Sequence, residues 1–315
     1  MREDMKIIFF GSGFFAVESL KMLLSLDCDI RLVVTQPDTK QGRHMLLKGT
    51  PVKNFALSKN LNIFQPEDIN DSVNQKAISA KEADYYIVVS YGKILTKAVL
   101  GLAKKMPVNI HASLLPRYRG ASSINQALIN GDLKTGVTFI RMNERMDEGD
   151  IIAQKELPIE KMDNTLILEE RLAKIAAVSL PEVLSLLKEG NISFIKQDPA
   201  LATYAPLLKK KDGLISWDKN AEAVVNHFRG CFGWPGSFTY FRGGILKIML
   251  MEFGRREVLS AKPGEVICIT SDYIEVACLR GSVFIREVLP QAHKKMIVKS
   301  FLAGHKLEVG QSFGG

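Results

Sequence analysis

Short apolar runs, each closed by glycine or a polar cluster, alternate with stretches of helical periodicity along the first part of the chain. Residues 6–11 (KIIFFG), 30–35 and 84–90 (DYYIVVS) read as strands, since runs of β-branched and aromatic residues suit a sheet covered on both faces. Residues 17–26, 52–59 and 72–80 read as helices, with Thr50 as N-cap and Pro51 as first helical residue of the second. A short strand follows at 63–64, two more at 136–142 and 151–159, then a long helical region at 165–188 that Pro181 is expected to break in two. This alternation predicts an α/β fold with a doubly wound, mostly parallel, Rossmann-like sheet.

After residue 188 the pattern changes. Periodicity weakens through 189–206, which reads as a linker. Beyond it come a helix-like run at 221–229 and five short strands at 237–241, 246–253, 265–269, 274–279 and 283–288, separated by turn residues. A small OB-like β-barrel is the expectation. The expected domains are therefore 1–188, a linker at 189–206, and 207–315.

The candidate chemistry is concentrated at 106–132, MPVNIHASLLPRYRGASSINQALINGD. Asn109 and His111 stand two apart in a strand, so their side chains share a face. An amide that holds an oxyanion beside an imidazole that moves a proton suits acyl transfer. Asp147, in the polar loop 146–150, is placed to face the same cleft. The same residues also fit a plainer reading, polar groups satisfied by local hydrogen bonds.

Two other stretches have double readings. Gly11-Ser-Gly13-Phe-Phe-Ala16 fits a dinucleotide-binding turn, but also any tight strand-to-helix turn. Asp38 lies late for a ribose-binding acid, and Pro37 disfavours that geometry. The loop at 36–50 carries Lys40, Arg43, His44 and Lys48, which suit phosphate contacts or a solvated surface.

Charge and composition narrow the partners. Residues 207–315 hold 16 Lys and Arg against 10 Asp and Glu, and the remainder holds 26 against 24, so most of the net +8 lies in the last third. An anionic partner there is the expectation. No apolar run approaches the roughly 20 residues that span a bilayer, and the N-terminus does not read as a signal peptide. Cys28, Cys231, Cys268 and Cys278 show neither a C-x-x-C nor a metal spacing, as expected of reduced thiols in a cytoplasmic protein.

Asn-x-His, then Ser-Leu-Leu-Pro-x-Tyr-Arg-Gly, then the distant Asp147 resembles the formyltransferases that use 10-formyltetrahydrofolate. The resemblance runs from about residue 5 to the C-terminus and is greatest to the members acting on methionyl-tRNA. It implies formyl transfer from 10-formyltetrahydrofolate to the amino group of methionyl initiator tRNA, with Asn109, His111 and Asp147 as the catalytic set. It implies a folate site at Tyr91, Gly92, Lys93, Ile94 and Leu95 and at Ser113, Leu114, Leu115 and Pro116. It implies tRNA contacts from Lys40, Arg43, His44 and Lys48, with the basic cluster Lys209, Lys210 and Lys211 ahead of the barrel. No metal and no NAD are implied, and nothing demands more than a monomer.

One departure stands out. Many relatives read Gly-Ala-Ala-Pro-Ile-Gln where this chain has Gly120-Ala-Ser-Ser-Ile-Asn125, and the missing proline loosens the start of the next helix. Three alternatives stay open. They are a formyltransferase acting on an amino-sugar nucleotide or other small amine, an NAD(P)-dependent oxidoreductase built on the first glycine turn, and a non-catalytic RNA-binding protein.

Overall fold

The computed structural model describes residues 5–41, 46–255, 257–258 and 260–314. The chain divides into two compact units: Met1–Ser123, Lys134–Pro158 and Ile167–Pro206 form the first, and Ile124–Leu133, Ile159–Leu166 and Leu207–Gly315 the second.

The first unit is built from β1 (Lys6–Gly11), α1 (Phe14–Ser25), β2 (Asp29–Val34), β3 (Thr39–Gln41), β4 (Leu46–Lys48), α2 (Pro51–Ser58), β5 (Ile63–Phe64), α3 (Ser72–Ser79), β6 (Tyr85–Val89), α4 (Lys97–Leu100) and β7 (Met106–His111). After α5 (Ser123–Ile129) come β8 (Lys134–Arg141), β9 (Asp150–Pro158) and α6 (Thr165–Glu189). The main sheet has the order β5-β2-β1-β6-β7-β8-β9. Its first five strands run parallel, whereas β8 and β9 are antiparallel to their neighbours. The sheet is therefore mostly parallel. The chain winds to opposite sides of β1, through β2 and then β6, which opens a crevice outside the carboxyl ends of β1 and β6.

The core follows from the apolar runs. Ile7, Ile8, Phe9 and Phe10 of β1 and Ile87 and Val89 of β6 are fully buried, so the parallel strands are covered on both faces. The first glycine turn serves this packing. A Cβ on Gly11 would lie 2.7 Å from the Phe9 ring and 2.8 Å from Ala16 Cβ, so α1 meets the sheet too closely for any side chain there. The N-cap of α1, Gly13, supplies no side-chain bond; instead Glu169 accepts from the Phe15 backbone, and burial raises its carboxyl above the usual range. An acid there suits the positive end of the helix dipole.

α6 runs unbroken for 25 residues, with Pro181 inside it. The expected break does not occur. Proline removes one backbone bond, but its ring lies on the exposed face, while Leu172, Ala176, Leu180, Leu184 and Leu187 bury the opposite stripe. The Tyr85 hydroxyl donates to Leu187 O at 2.8 Å, satisfying a last-turn carbonyl and tying α6 to β6.

Residues 36–50 differ from a plain loop. β3 and β4 pair as a small antiparallel ribbon with Lys40 opposite Leu47. Arg43 and His44 lie outside the described residues. Its base is fixed by Asp38, which accepts from Gln65 (2.8 Å) and pairs with Lys53 (2.6 Å). Gln65 and Lys53 thus satisfy this carboxylate.

Residues 189–206, expected to link two domains, pack within the first unit. Ile195 exchanges backbone hydrogen bonds with Ile151, and Arg119 bonds Thr203 O and Ala205 N through its own backbone.

The second unit contains α7 (Ala221–Gly230), β10 (Phe238–Phe241), β11 (Gly244–Phe253), β12 (Val266–Ile269), β13 (Ile274–Ala277), β14 (Ser282–Pro290), β15 (Met296–Ile297) and α8 (Val298–Gly304). Its antiparallel sheet has the order β10-β11-β14-β13-β12, with β15 on β14, and forms a half-barrel over a core that includes Trp217, Phe228, Ile248, Val276, Ile285 and Phe301. The two short segments from earlier in the chain are fastened to α7. Asn125 Nδ2 donates to Gly230 O at 2.7 Å, and Arg229 donates to the carbonyls of Asp163 and Glu160 at 2.6 Å each.

Candidate active site

β7 carries Asn109 and His111, and its register decides their surroundings. Asn109 pairs with Val88 of β6 on one side and Ile140 of β8 on the other, while His111 stands opposite Thr138. Both polar side chains thus sit at the end of central strands, where the chain leaves the sheet.

Asp147 comes from the loop between β8 and β9, and the three side chains meet. Asn109 Nδ2 donates to Asp147 Oδ1 at 3.1 Å, and His111 Nδ1 lies 3.5 Å from Asp147 Oδ2. Gly120 N donates to the same Oδ2 at 2.8 Å. On the far side of the ring, His111 Nε2 donates to Tyr118 O at 2.9 Å. A carbonyl only accepts, so Nε2 carries a proton and Nδ1 is the ring atom turned to the carboxylate. The His111 side chain is 9% exposed and that of Asp147 13%, so the pair interacts with little screening by water.

The backbone around the three is held in uncommon conformations. Tyr118 has φ +61° and Asp147 φ +55°, each costing roughly 1–2 kcal/mol relative to a right-handed residue. Gly120 has φ +112°. These are the residues whose carbonyl, carboxylate and N–H hold the imidazole and the acid. Strain borne at the residues that orient a constellation is a mark of functional sites.

Arg119, between Tyr118 and Gly120, is buried. Its guanidinium needs partners there. It donates from Nε and Nη2 to Gln197 Oε1 at 3.1 and 2.9 Å, and Nη1 pairs with Glu148 at 3.0 Å. Gln197 in turn donates to Asp147 O at 2.7 Å and Gly149 O at 2.8 Å. Arg119 belongs to the motif noted in the sequence. Gln197 was not singled out, since it lies in the weakly periodic stretch and no local pattern marks it.

The loop 113–116 is fixed by Thr138. Its hydroxyl donates to Ser113 O (2.6 Å) and accepts from Leu115 N (3.1 Å) and Gln154 Nε2 (2.9 Å). Ser113 and Leu115 are buried, whereas Leu114 and Pro116 are half-buried. In the loop after β6, Tyr91 and Leu95 join the core, while Gly92 and Ile94 are exposed and Lys93 is half-buried. Gln36 Nε2 and Ser12 Oγ both donate to Tyr91 O, at 2.7 and 3.2 Å, so the loops following β1, β2 and β6 are joined at one point. Lys40 and Lys48 on the ribbon are exposed, as are Lys209, Lys210 and Lys211 in the second unit. Lys93 bonds the Pro66 and Glu67 carbonyls. Among the described residues no cluster of His, Cys, Asp and Glu could hold a metal ion, and no helix is long and apolar enough to cross a membrane.

Comparison with known proteins gives a consistent result. Residues 5–184 match the formyl transferase family and residues 207–306 its C-terminal domain. The chain is 39% identical over 310 residues to the methionyl-tRNA formyltransferase of Geotalea uraniireducens, covering 98% of both chains. It is 38% identical to that of Alkaliphilus oremlandii, covering 98% of this chain and all of that one. The fold is shared with an N-formyltransferase from Helicobacter canadensis solved with folinic acid and dTDP-3-aminofucose, at a TM-score of 0.69 and 16% identity over 89% of this chain and 98% of that one. With identity at this level sustained from end to end through both parts of the fold, the chain belongs to the formyl transferase family, among its methionyl-tRNA formyltransferases.

Proposed function

We propose that this protein transfers the formyl group of 10-formyltetrahydrofolate to the amino group of methionine esterified to initiator tRNA. The observation that carries the reading is the meeting of Asn109, His111 and Asp147 in a chain related over its whole length to methionyl-tRNA formyltransferases.

In the proposed reaction the free amine attacks the formyl carbon, and the formyl oxygen takes up negative charge. Asn109 Nδ2 carries two N–H groups; one goes to Asp147, and the other is the donor for this oxygen. The amine gives up a proton as the new C–N bond forms. When the bond to the folate nitrogen breaks, that nitrogen receives a proton, leaving tetrahydrofolate and N-formylmethionyl-tRNA. His111 moves protons and steadies the intermediate, with Asp147 orienting the ring. Folate binds along Tyr91, Gly92, Lys93, Ile94 and Leu95 and along Ser113, Leu114, Leu115 and Pro116.

The same reading makes residues 1–188 the catalytic part, 189–206 the connection and 207–315 the tRNA-binding part of a monomeric cytoplasmic enzyme. Lys40, Lys48 and Lys209–Lys211, with Arg43 and His44, supply phosphate contacts.

The test is formyl transfer with initiator methionyl-tRNA, elongator methionyl-tRNA and a nucleotide-linked amino sugar as separate acceptors. Transfer to the initiator alone is expected. Transfer to the sugar alone would keep the chemistry and overturn the partner.

A further inference from the structure

We propose that Gln197 is a positioning residue for formyl transfer, its carboxamide holding the loop that presents Asp147. This rests on the function proposed above. The site needs an aspartate in a left-handed conformation, at φ +55°, on a loop between two strands. Backbone in that region persists where the surrounding structure fixes it. Gln197 ties two of them, Asp147 O at 2.7 Å and Gly149 O at 2.8 Å, with the two N–H groups of one amide. Glu148, between them, is held by Arg119 at 3.0 Å.

The other end of the same amide accepts twice from Arg119. Arg119 is flanked by Tyr118, whose carbonyl accepts from His111, and Gly120, whose N–H reaches Asp147. One side chain therefore links the loop bearing the acid to the loop bearing the partners of both the acid and the histidine. Its own backbone is located from either side, by Ile195 bonded to Ile151 and by Thr203 and Ala205 bonded to Arg119. All of its hydrogen-bonding capacity is directed at the site, and none of it touches a reacting atom.

The sharp variant is Gln197→Glu. It keeps the size and an oxygen for Arg119, removes both donors to the Asp147 loop, and sets a carboxylate oxygen against the Asp147 and Gly149 carbonyls. We expect kcat to fall about 30- to 100-fold, with KM for both substrates close to wild type and the melting temperature lowered, since two carbonyls lose their donors. In an Asp147→Asn background the same change is expected to cost less than about twofold, since the two residues act through one loop. Hydrogen exchange should quicken in residues 143–151 and at Gly120, whose N–H Asp147 accepts. A wild-type kcat, an undiminished loss in the Asp147→Asn background, or unchanged exchange at 143–151 would each overturn the proposal. Should Gln197→Glu fold poorly, Gln197→Ala read by the same exchange measurement decides the matter. The exchange experiment uses no substrate, so it distinguishes failure here from failure of the assigned reaction.

Discussion

The backbone N–H of Gly120 donates to Asp147 Oδ2 at 2.8 Å, the oxygen that also faces His111 Nδ1. A residue in the loop after β7 thus aims the acid that arrives from the loop after β8. Gly120 stands at φ +112°, and a Cβ there would lie 2.7 Å from Ala205 O. Gly120→Ala is expected to cost about 1–3 kcal/mol of stability and to lower kcat by more than that stability loss alone removes from the folded population. Urea unfolding beside steady-state kinetics checks both, and an unaffected kcat would show that the Gly120 bond does not matter to the acid.

Asn109→Ala removes the donor assigned to the oxyanion. Turnover is expected to fall roughly 100-fold or more, with KM for tRNA little changed because the amide acts on the intermediate. Near-normal kcat would take Asn109 out of the reaction.

Burial pushes the Cys231 and Cys278 thiols up to about 12 each. At a pH of about 8 only roughly one part in ten thousand of either is thiolate. Brief iodoacetamide treatment of the native protein should therefore leave both intact, and denaturation should expose them. Mass spectrometry of the peptides reads the result; native labelling of Cys278 would mean that the half-barrel opens readily.

Gln65, and then Lys53, hold the Asp38 carboxyl below the usual carboxylate range. A depressed folded value contributes stability that is present above the unfolded value of about 3.9 and lost as pH falls through the folded one. Asp38→Asn should therefore melt earlier than wild type near neutrality, and the gap should close in acid. A gap constant across pH would assign the effect to shape instead of charge.

Pro181→Ala restores a missing backbone donor on the exposed face of α6. Thermal unfolding should shift upward, by about 1–3 kcal/mol of stability. A fall would show that restricting the unfolded chain outweighs the bond.

Much of this arrangement is legible in the sequence, and the parts that are not share a cause. The runs at β1 and β6 read as buried strands because uninterrupted apolar residues suit a sheet covered on both faces. The spacing of Asn109 and His111 puts both on one face by strand geometry alone. Three features escaped because they depend on contacts distant in sequence. Alternation in β8 and β9 marks strands but not their direction. The helix α5 carries nothing to say that it is fastened to Gly230. Gln197 looks like any polar residue between two charged ones, Lys196 and Asp198, and only its bonds to Asp147 O and Arg119 distinguish it. Pro181 misleads in the opposite way, since a local rule predicts a break that tertiary burial of Leu180 and Leu184 overrides.

The return of Thr203 and Ala205 to Arg119 bears on how such chains can be recombined. A hybrid joined at the end of α6 would inherit strands, helices and the Asn-His-Asp side chains from one parent, yet take the stretch that closes the aspartate loop from the other. Joined after Pro206, it would keep that stretch with the loops it fastens. The natural point of exchange between parents is therefore the end of the strap, well downstream of the last helix that a secondary-structure boundary would choose.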